Sequence, residues 1–208
     1  MNSLNDPAVA ACIARLHDGA RGDRDRRAEL SADERADESL TRLGSLYMAV
    51  SREEARLLYV LARGSGAKHL VEFGASFGVS TLYLAAAASD NSGRLVTTEA
   101  HPDKCAATRA VLAEAGLDGV ATLLEGDALA KLADAAPGIG FVFLDGWKSM
   151  YLPMLELLRP KLTDGALLVA DNIDHPGAAP YADHVRTSEE FVSHSLGKIE
   201  VSCHATGA

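Results

Sequence analysis

Two short segments bring together residue types that can hold a hard metal ion and move a proton. One is Asp145-Gly146-Trp147-Lys148, the other Asp171-Asn172, and each directly follows an apolar run of strand character. Two carboxylates and an amide oxygen, with no thiolate among them, suit Mg²⁺, which leaves its other positions to water or substrate oxygens. A lysine beside such a cation has its charged form disfavoured and can act as a general base near neutral pH. Asp and Asn also cap helices, so either segment alone admits a purely structural reading. Both together, with Lys148 beside them, point to chemistry. Trp147, the one tryptophan of the chain, could fill core or wall off a planar ligand.

A second group lies upstream. Glu72-Phe73-Gly74-Ala75-Ser76-Phe77-Gly78 has the spacing E-x-G-x-x-x-G rather than G-x-G-x-x-G. Its glycines permit a tight turn and close approach of a ligand. The carboxylate just before the turn, however, suits a cationic amino group better than a pyrophosphate. Glu99 follows Glu72 by 27 residues, one βαβ step, where an acidic residue can accept hydrogen bonds from a ribose diol. Asp127, within Glu125-Gly126-Asp127-Ala128, could cap a helix and also accept from an adenine amino group. A ligand with an amino-acid end and a nucleoside but no phosphate answers all three, and S-adenosylmethionine (SAM) is such a ligand. A nicotinamide dinucleotide is not.

One scaffold must bring these residues together. Strands are expected over 69–73, 94–98, 121–124, 140–144 and 166–170, and helices over 79–88, 102–115, 128–135, 150–158 and about 181–189. Two further strands, 191–196 and 198–204, meet at a turn on Gly197. The alternation predicts an α/β fold: a Rossmann-like parallel sheet with right-handed crossovers, helices on both faces and a C-terminal antiparallel hairpin at one edge. Ligands of such sheets bind beyond the carboxyl ends of the strands, and every segment named above ends a strand. Ser51-Arg52-Glu53-Glu54 is a capping box that opens a helix before the first strand. Asp6-Pro7 opens another, to about His17. The mixed-charge tract 21–38 reads as a solvated helix face or as a lid over a pocket. Residues 1–45 are expected to form a helical extension and 46–208 the ligand-binding domain.

Composition narrows the partners. The 208 residues carry a net charge of −9, which disfavours phosphate backbones and anionic lipid. Apolar runs of about six residues are too short for a membrane span. The start, Met1-Asn2-Ser3-Leu4-Asn5-Asp6-Pro7, lacks the basic and apolar regions of a signal peptide. Three scattered cysteines without a CxxC pair fit a reducing, cytoplasmic setting better than a disulfide framework.

The segments Leu144-Asp145-Gly146-Trp147-Lys148 with Tyr151-Leu152-Pro153, and Leu168-Val169-Ala170-Asp171-Asn172 with Pro176-Gly177-Ala178 and His184-Val185-Arg186, resemble the cation-dependent O-methyltransferases, and among them the catechol O-methyltransferases. A weaker likeness runs from about Tyr47 to His204. The resemblance implies that Asp145, Asp171 and Asn172 hold Mg²⁺ and that Lys148 takes the proton of a substrate hydroxyl. It implies that Val50, Glu72, the turn at Gly74 and Ser76, and Ser80 meet the methionine part of SAM, that Glu99 holds its ribose, and that Asp127 and Ala128 lie at its adenine. Asp145 and Trp147 also border the cofactor, and Trp147, Asn172 and Pro176 border the acceptor. The implied acceptor is a small aromatic molecule with two neighbouring hydroxyls; hydroxyuridine in transfer RNA, methylated by other relatives, is the alternative. A homodimer through the N-terminal helices belongs to the same likeness. The sequence departs from the animal pattern at Gly146, where a histidine stands there, and at Leu46, near the place of an aromatic gate. The acidic residue that would hold the second hydroxyl has no counterpart; Glu200 falls in the last expected strand.

Overall fold

The computed structural model describes residues 2–28, 44 and 46–205. The later part of the charged tract 21–38 lies outside the described residues, and with it the choice between solvated face and lid. Near the N-terminus, α1 (Pro7–Ala20) begins where Asp6 caps it, its carboxylate accepting from the Ala8 amide at 2.8 Å. Pro7 fits the first turn because its missing N–H would have no partner there. A short α2 (Asp23–Ala28) follows. Helix α3 (Arg52–Gly64) opens with the capping box in full: Glu54 N–H donates to Ser51 Oγ at 3.2 Å, and Ser51 N–H donates to Glu54 Oε2 at 2.8 Å.

The alternating part then runs β1 (His69–Phe73), α4 (Val79–Asp90), β2 (Arg94–Glu99), α5 (Pro102–Glu114), β3 (Ala121–Glu125), α6 (Ala128–Leu132), β4 (Ile139–Leu144), α7 (Tyr151–Leu158), β5 (Leu162–Ala170), α8 (Ala179–Thr187), β6 (Phe191–Leu196) and β7 (Ile199–His204). The seven strands lie in the order β3-β2-β1-β4-β5-β7-β6. Pairings are parallel from β3 to β5, whereas β7 runs antiparallel to both β5 and β6. Several boundaries differ from expectation: α1 runs on to Ala20, α6 stops at Leu132 and α8 at Thr187, and two starts move as well. Strand β5 starts four residues earlier than residue 166, joining β4 through a register shift between Ile139 and Phe141. Helix α8 starts before Tyr181 because Pro180 sits in its first turn, where proline is tolerated.

The core has two layers, one on each face of the sheet. Along β4, Phe141 and Phe143 face the layer of α1, α3, α4 and α5, whereas Val142 and Leu144 face that of α6, α7 and α8. This is the period-two alternation of a strand buried on both sides. Val9, Cys12, Ile13 and Leu16 of α1 belong to the first layer, so the N-terminal helix packs into the same core as the sheet. The three cysteines are free. Among the described residues no helix is long and apolar enough to cross a membrane.

The order places a switch point between β1 and β4, whose following helices depart to opposite faces. Backbone hydrogen bonds continue past the strands there: Asp145 N–H to Phe73 O at 2.9 Å, Asp171 N–H to Leu144 O at 3.0 Å, and Ala75 N–H to Thr98 O at 3.0 Å. They hold the strand tips as one rim.

Candidate active site

A cavity of about 1240 Å³ opens above that rim. It is lined by Val50, Gly74, Ser76, Ser80, Glu99, Asp127, Ala128, Asp145, Trp147, Lys148, Asp171, Asn172 and Pro176. These are all of the expected site residues except Glu72.

On the β1–β2 side the walls are set by backbone. Gly74 has φ of +99°, and a Cβ there would lie 2.8–2.9 Å from the main chain of Asp145 and Gly146. Only glycine lets the two strand tips approach so closely. Ser76 also lies in the left-handed region, with φ of +47°. Its N–H donates to Glu99 Oε2 at 2.8 Å, and its Oγ donates to Tyr47 O at 2.7 Å. Glu99 Oε1 takes the N–H groups of Ala100 and His101, both at 2.9 Å. Three amides thus fix the carboxylate and leave its free lone-pair capacity chiefly on Oε2. Asp127 caps α6 by accepting from Leu129 N–H at 3.0 Å, and it lines the cavity as well.

Glu72 is the one expected site residue that the cavity lining does not include. It is not at the cavity wall and is fully buried, pointing to the α4 face of β1. Its Oε2 accepts from Thr81 and Thr97 hydroxyls, each at 2.6 Å, while Oε1 has no hydrogen-bond partner among the described residues. The reason is strand parity: Val71 and Phe73 pack into the layer of α6 to α8, so Glu72 between them must face the other. Burial pushes its carboxyl up to about 7, against the pull of the Ser80, Thr81 and Thr97 hydroxyls, and the charge of Asp145 adds to the rise.

On the β4–β5 side the walls are charged. Lys148 Nζ lies 2.9 Å from Asp145 Oδ1 and 5.2 Å from the centre of the Tyr151 ring. The Tyr151 hydroxyl in turn donates to Asp171 O at 3.0 Å. Asp171 Oδ1 accepts from Asn172 N–H at 2.8 Å, and Asn172 holds φ of +53°, a conformation asparagine tolerates better than most residues. Burial raises the Asp145 carboxyl to about 6; Lys148 pulls it down, and the nearby negative charge of Asp171 pushes it up again. Such repulsion between two buried carboxylates is what a divalent cation relieves. Among the described residues no three His, Cys, Asp or Glu side chains gather to hold a metal; the oxygens of Asp145, Asp171 and the Asn172 amide are donors of the hard type that suits Mg²⁺. Gly146 follows from packing: a Cβ there would run into the Phe73 ring.

Lys198, at the hairpin turn, was not anticipated. Its Nζ stands 3.1 and 3.2 Å from the two Asp171 carboxylate oxygens and 3.1 Å from Glu54 Oε1. Burial opposes its charge, but Asp171 and Glu54 outweigh that and hold the ammonium above its usual pKa. The register Ala170↔Glu200 sets the turn beyond the tip of β5, a long-range pairing that no local sequence pattern states. Glu200 itself is buried and paired with Arg186 at 2.6 Å. Lys104 is also new: it is buried, lines the cavity near Glu99, and lies 5.5 Å from the centre of the Phe77 ring, on which Tyr47 stacks.

The seven-stranded sheet with its antiparallel edge, and a crevice at the switch point, define the class I methyltransferase fold. The solved structure of the O-methyltransferase TomG from Streptomyces achromogenes, involved in tomaymycin synthesis and in complex with SAM, matches with a TM-score of 0.70 at 23% identity, covering 92% of this chain and 99% of that one. The family model described as Methyltransferase domain matches residues 71–173. Catechol O-methyltransferase of Sus scrofa is 33% identical over 151 residues, covering 69% of this chain and 81% of that protein. The Bos taurus catechol O-methyltransferase is 32% identical over 163 residues, 74% of this chain, which spans 60% of the bovine protein's length. The chain belongs to the catechol O-methyltransferase family of methyltransferases.

Proposed function

We propose that the protein transfers the methyl group of SAM to one hydroxyl of a small aromatic acceptor carrying two neighbouring hydroxyls, with a divalent cation held by Asp145, Asp171 and Asn172. The observation that carries the reading is the meeting of Lys148, Asp145, Asp171 and Asn172 at one rim of the cavity that Glu99 and Ser80 line at the other. When bound, SAM supplies an electrophilic methyl, and the cation favours the ionised form of the acceptor hydroxyl.

The chain does the rest by position. Glu99, fixed by three amides, offers Oε2 to a ribose hydroxyl. Val50 and Ser80 border the place of the methionine end, and Asp127 and Ala128 that of the adenine. Lys148 Nζ is the group placed to receive the hydroxyl proton, and Asp145 Oδ1 orients it. Trp147 and Pro176 line the place where an aromatic ring would lie. Orientation of two reactants in one closed cleft supplies much of the rate. The likeness to the bovine and porcine catechol O-methyltransferases supports this acceptor class.

The transfer-RNA alternative would need a local basic patch to offset the net charge of −9. Of the arginines in the tract 21–38, Arg21 pairs with Asp18 and Arg26 with Asp23, so the charge of these two is balanced locally. No observation favours it. The test is methyl transfer from SAM to catechol with Mg²⁺ present. Activity lost in chelator and restored by Mg²⁺ is expected; full activity in chelator overturns the metal role, and inertness toward every vicinal diol tried overturns the acceptor class.

A further inference from the structure

Lys198 occupies a position that the proposed chemistry does not use. Its main chain is fixed, because Lys198 O accepts from Ile173 N–H at 2.8 Å, just beyond Asn172. Its ammonium faces both oxygens of Asp171, at 3.1 and 3.2 Å, so the lone pairs a metal would need are directed at a lysine. The same Nζ lies 3.1 Å from Glu54 Oε1. Glu54 is itself immobilised, since its Oε2 belongs to the capping box of α3. The side chain of Lys198 is 39% exposed, and its four-carbon stem can swing.

We infer that Lys198 is a built-in counter-ion of the metal site, which holds Asp171 while no metal is bound and is released to Glu54 when a divalent cation takes the Asp171 carboxylate. The inference rests on the metal reading above. Two carboxylates one ammonium apart form a two-position holder: Lys198 keeps one anionic partner in either state, so freeing Asp171 does not strand a charge. Lys198 thereby competes with the metal, and Glu54 sets how strongly. It is a positioning residue and takes no part in the proton transfer.

The test is Mn²⁺ binding to the full chain, followed by the electron paramagnetic resonance signal of free Mn²⁺, so no turnover is needed. Lys198→Met should tighten Mn²⁺ binding about fivefold or more, because the competitor is gone. Glu54→Gln should weaken it about threefold or more, because Lys198 is then left to Asp171 alone, and this loss should vanish in the double variant. Lys198→Gln serves in place of Lys198→Met should the latter melt early. Unchanged Mn²⁺ affinity in folded Lys198 variants overturns the inference. Equal weakening by Glu54→Gln with and without Lys198 also overturns it, because that pattern is a through-space charge effect. Asp145→Asn and Asp171→Asn separate the two readings. Mn²⁺ binding that ignores both substitutions, in wild type and in Lys198→Met, sinks the metal site itself and the inference with it. Binding that they abolish while Lys198→Met has no effect sinks the inference alone.

Discussion

At the tips of β1 and β2 the cleft is held by main-chain groups. Gly74 brings two backbones together, and the amides of Ser76, Ala100 and His101 fix one carboxylate. At the tips of β4 and β5 it is held by side-chain charges, with Asp145 against Lys148 and Asp171 against Lys198. The first side is pre-formed, since hydrogen-bonded backbone has few alternatives. The second is a set of ion pairs, whose partners are held by charge rather than by fixed backbone. Under the proposed function, binding of the cofactor and activation of the acceptor would fall to regions of different stiffness.

Three substitutions test this division. The largest effect is expected from Lys148→Met on the charged side: turnover falls about 10²–10⁴-fold while SAM affinity stays within about threefold. Single-turnover rates and calorimetric SAM titration measure the two quantities. Loss of SAM binding with turnover per bound enzyme intact would remove Lys148 from the proton step. Next is Glu99→Ala on the backbone side, which should weaken SAM about 10–100-fold, the value of a charge-assisted hydrogen bond, and leave the saturated rate nearly unchanged. A drop confined to the saturated rate would show that the two sides are not separate.

The smallest effect concerns Glu72, beneath both sides. Its carboxyl is raised from 4.5 to about 7, so the native state binds that proton more tightly than the unfolded chain does. Stability therefore falls as pH rises from about 4.5 to about 7, and stays lower above that range. Glu72→Gln removes the penalty and should stabilise the protein by about 1–2 kcal/mol near pH 8, the difference shrinking toward pH 4.5. Denaturant titrations at several pH values measure it; parallel curves for the two proteins would show that Glu72 carries no such burden.

Much of the scaffold could be read from local pattern. The capping box at Ser51, the apolar run of β4 and the glycine at position 74 each follow from a few adjacent residues and a known steric or hydrogen-bonding reason. The strand-end rule then gathered Glu99, Asp145 and Asp171 at one crevice. What escaped was set at longer range. The orientation of Glu72 depends on which face of β1 each residue takes, and E-x-G-x-x-x-G does not state that parity. Lys198 is brought to Asp171 by antiparallel pairing 27 residues further along the chain, through a turn whose distance from the cleft depends on the register of β7. The sequence places Glu99 at a strand end but says nothing of the three amides that leave it little spare capacity.

The hairpin's place in the sheet has a consequence for how such a pocket could diversify. Because β7 is locked to β5 along four residue pairs, the bend between β6 and β7 keeps its place at the sheet edge, and a change of side chain there disturbs less than a change of length, which would strain the Ile173 N–H bond to Lys198 O. A two-residue extension would lift the amine clear of the opening, and a reversal of its sign would present an acceptor with the opposite electrostatic lip. That bend is where new preferences for the incoming molecule would be written at least structural cost.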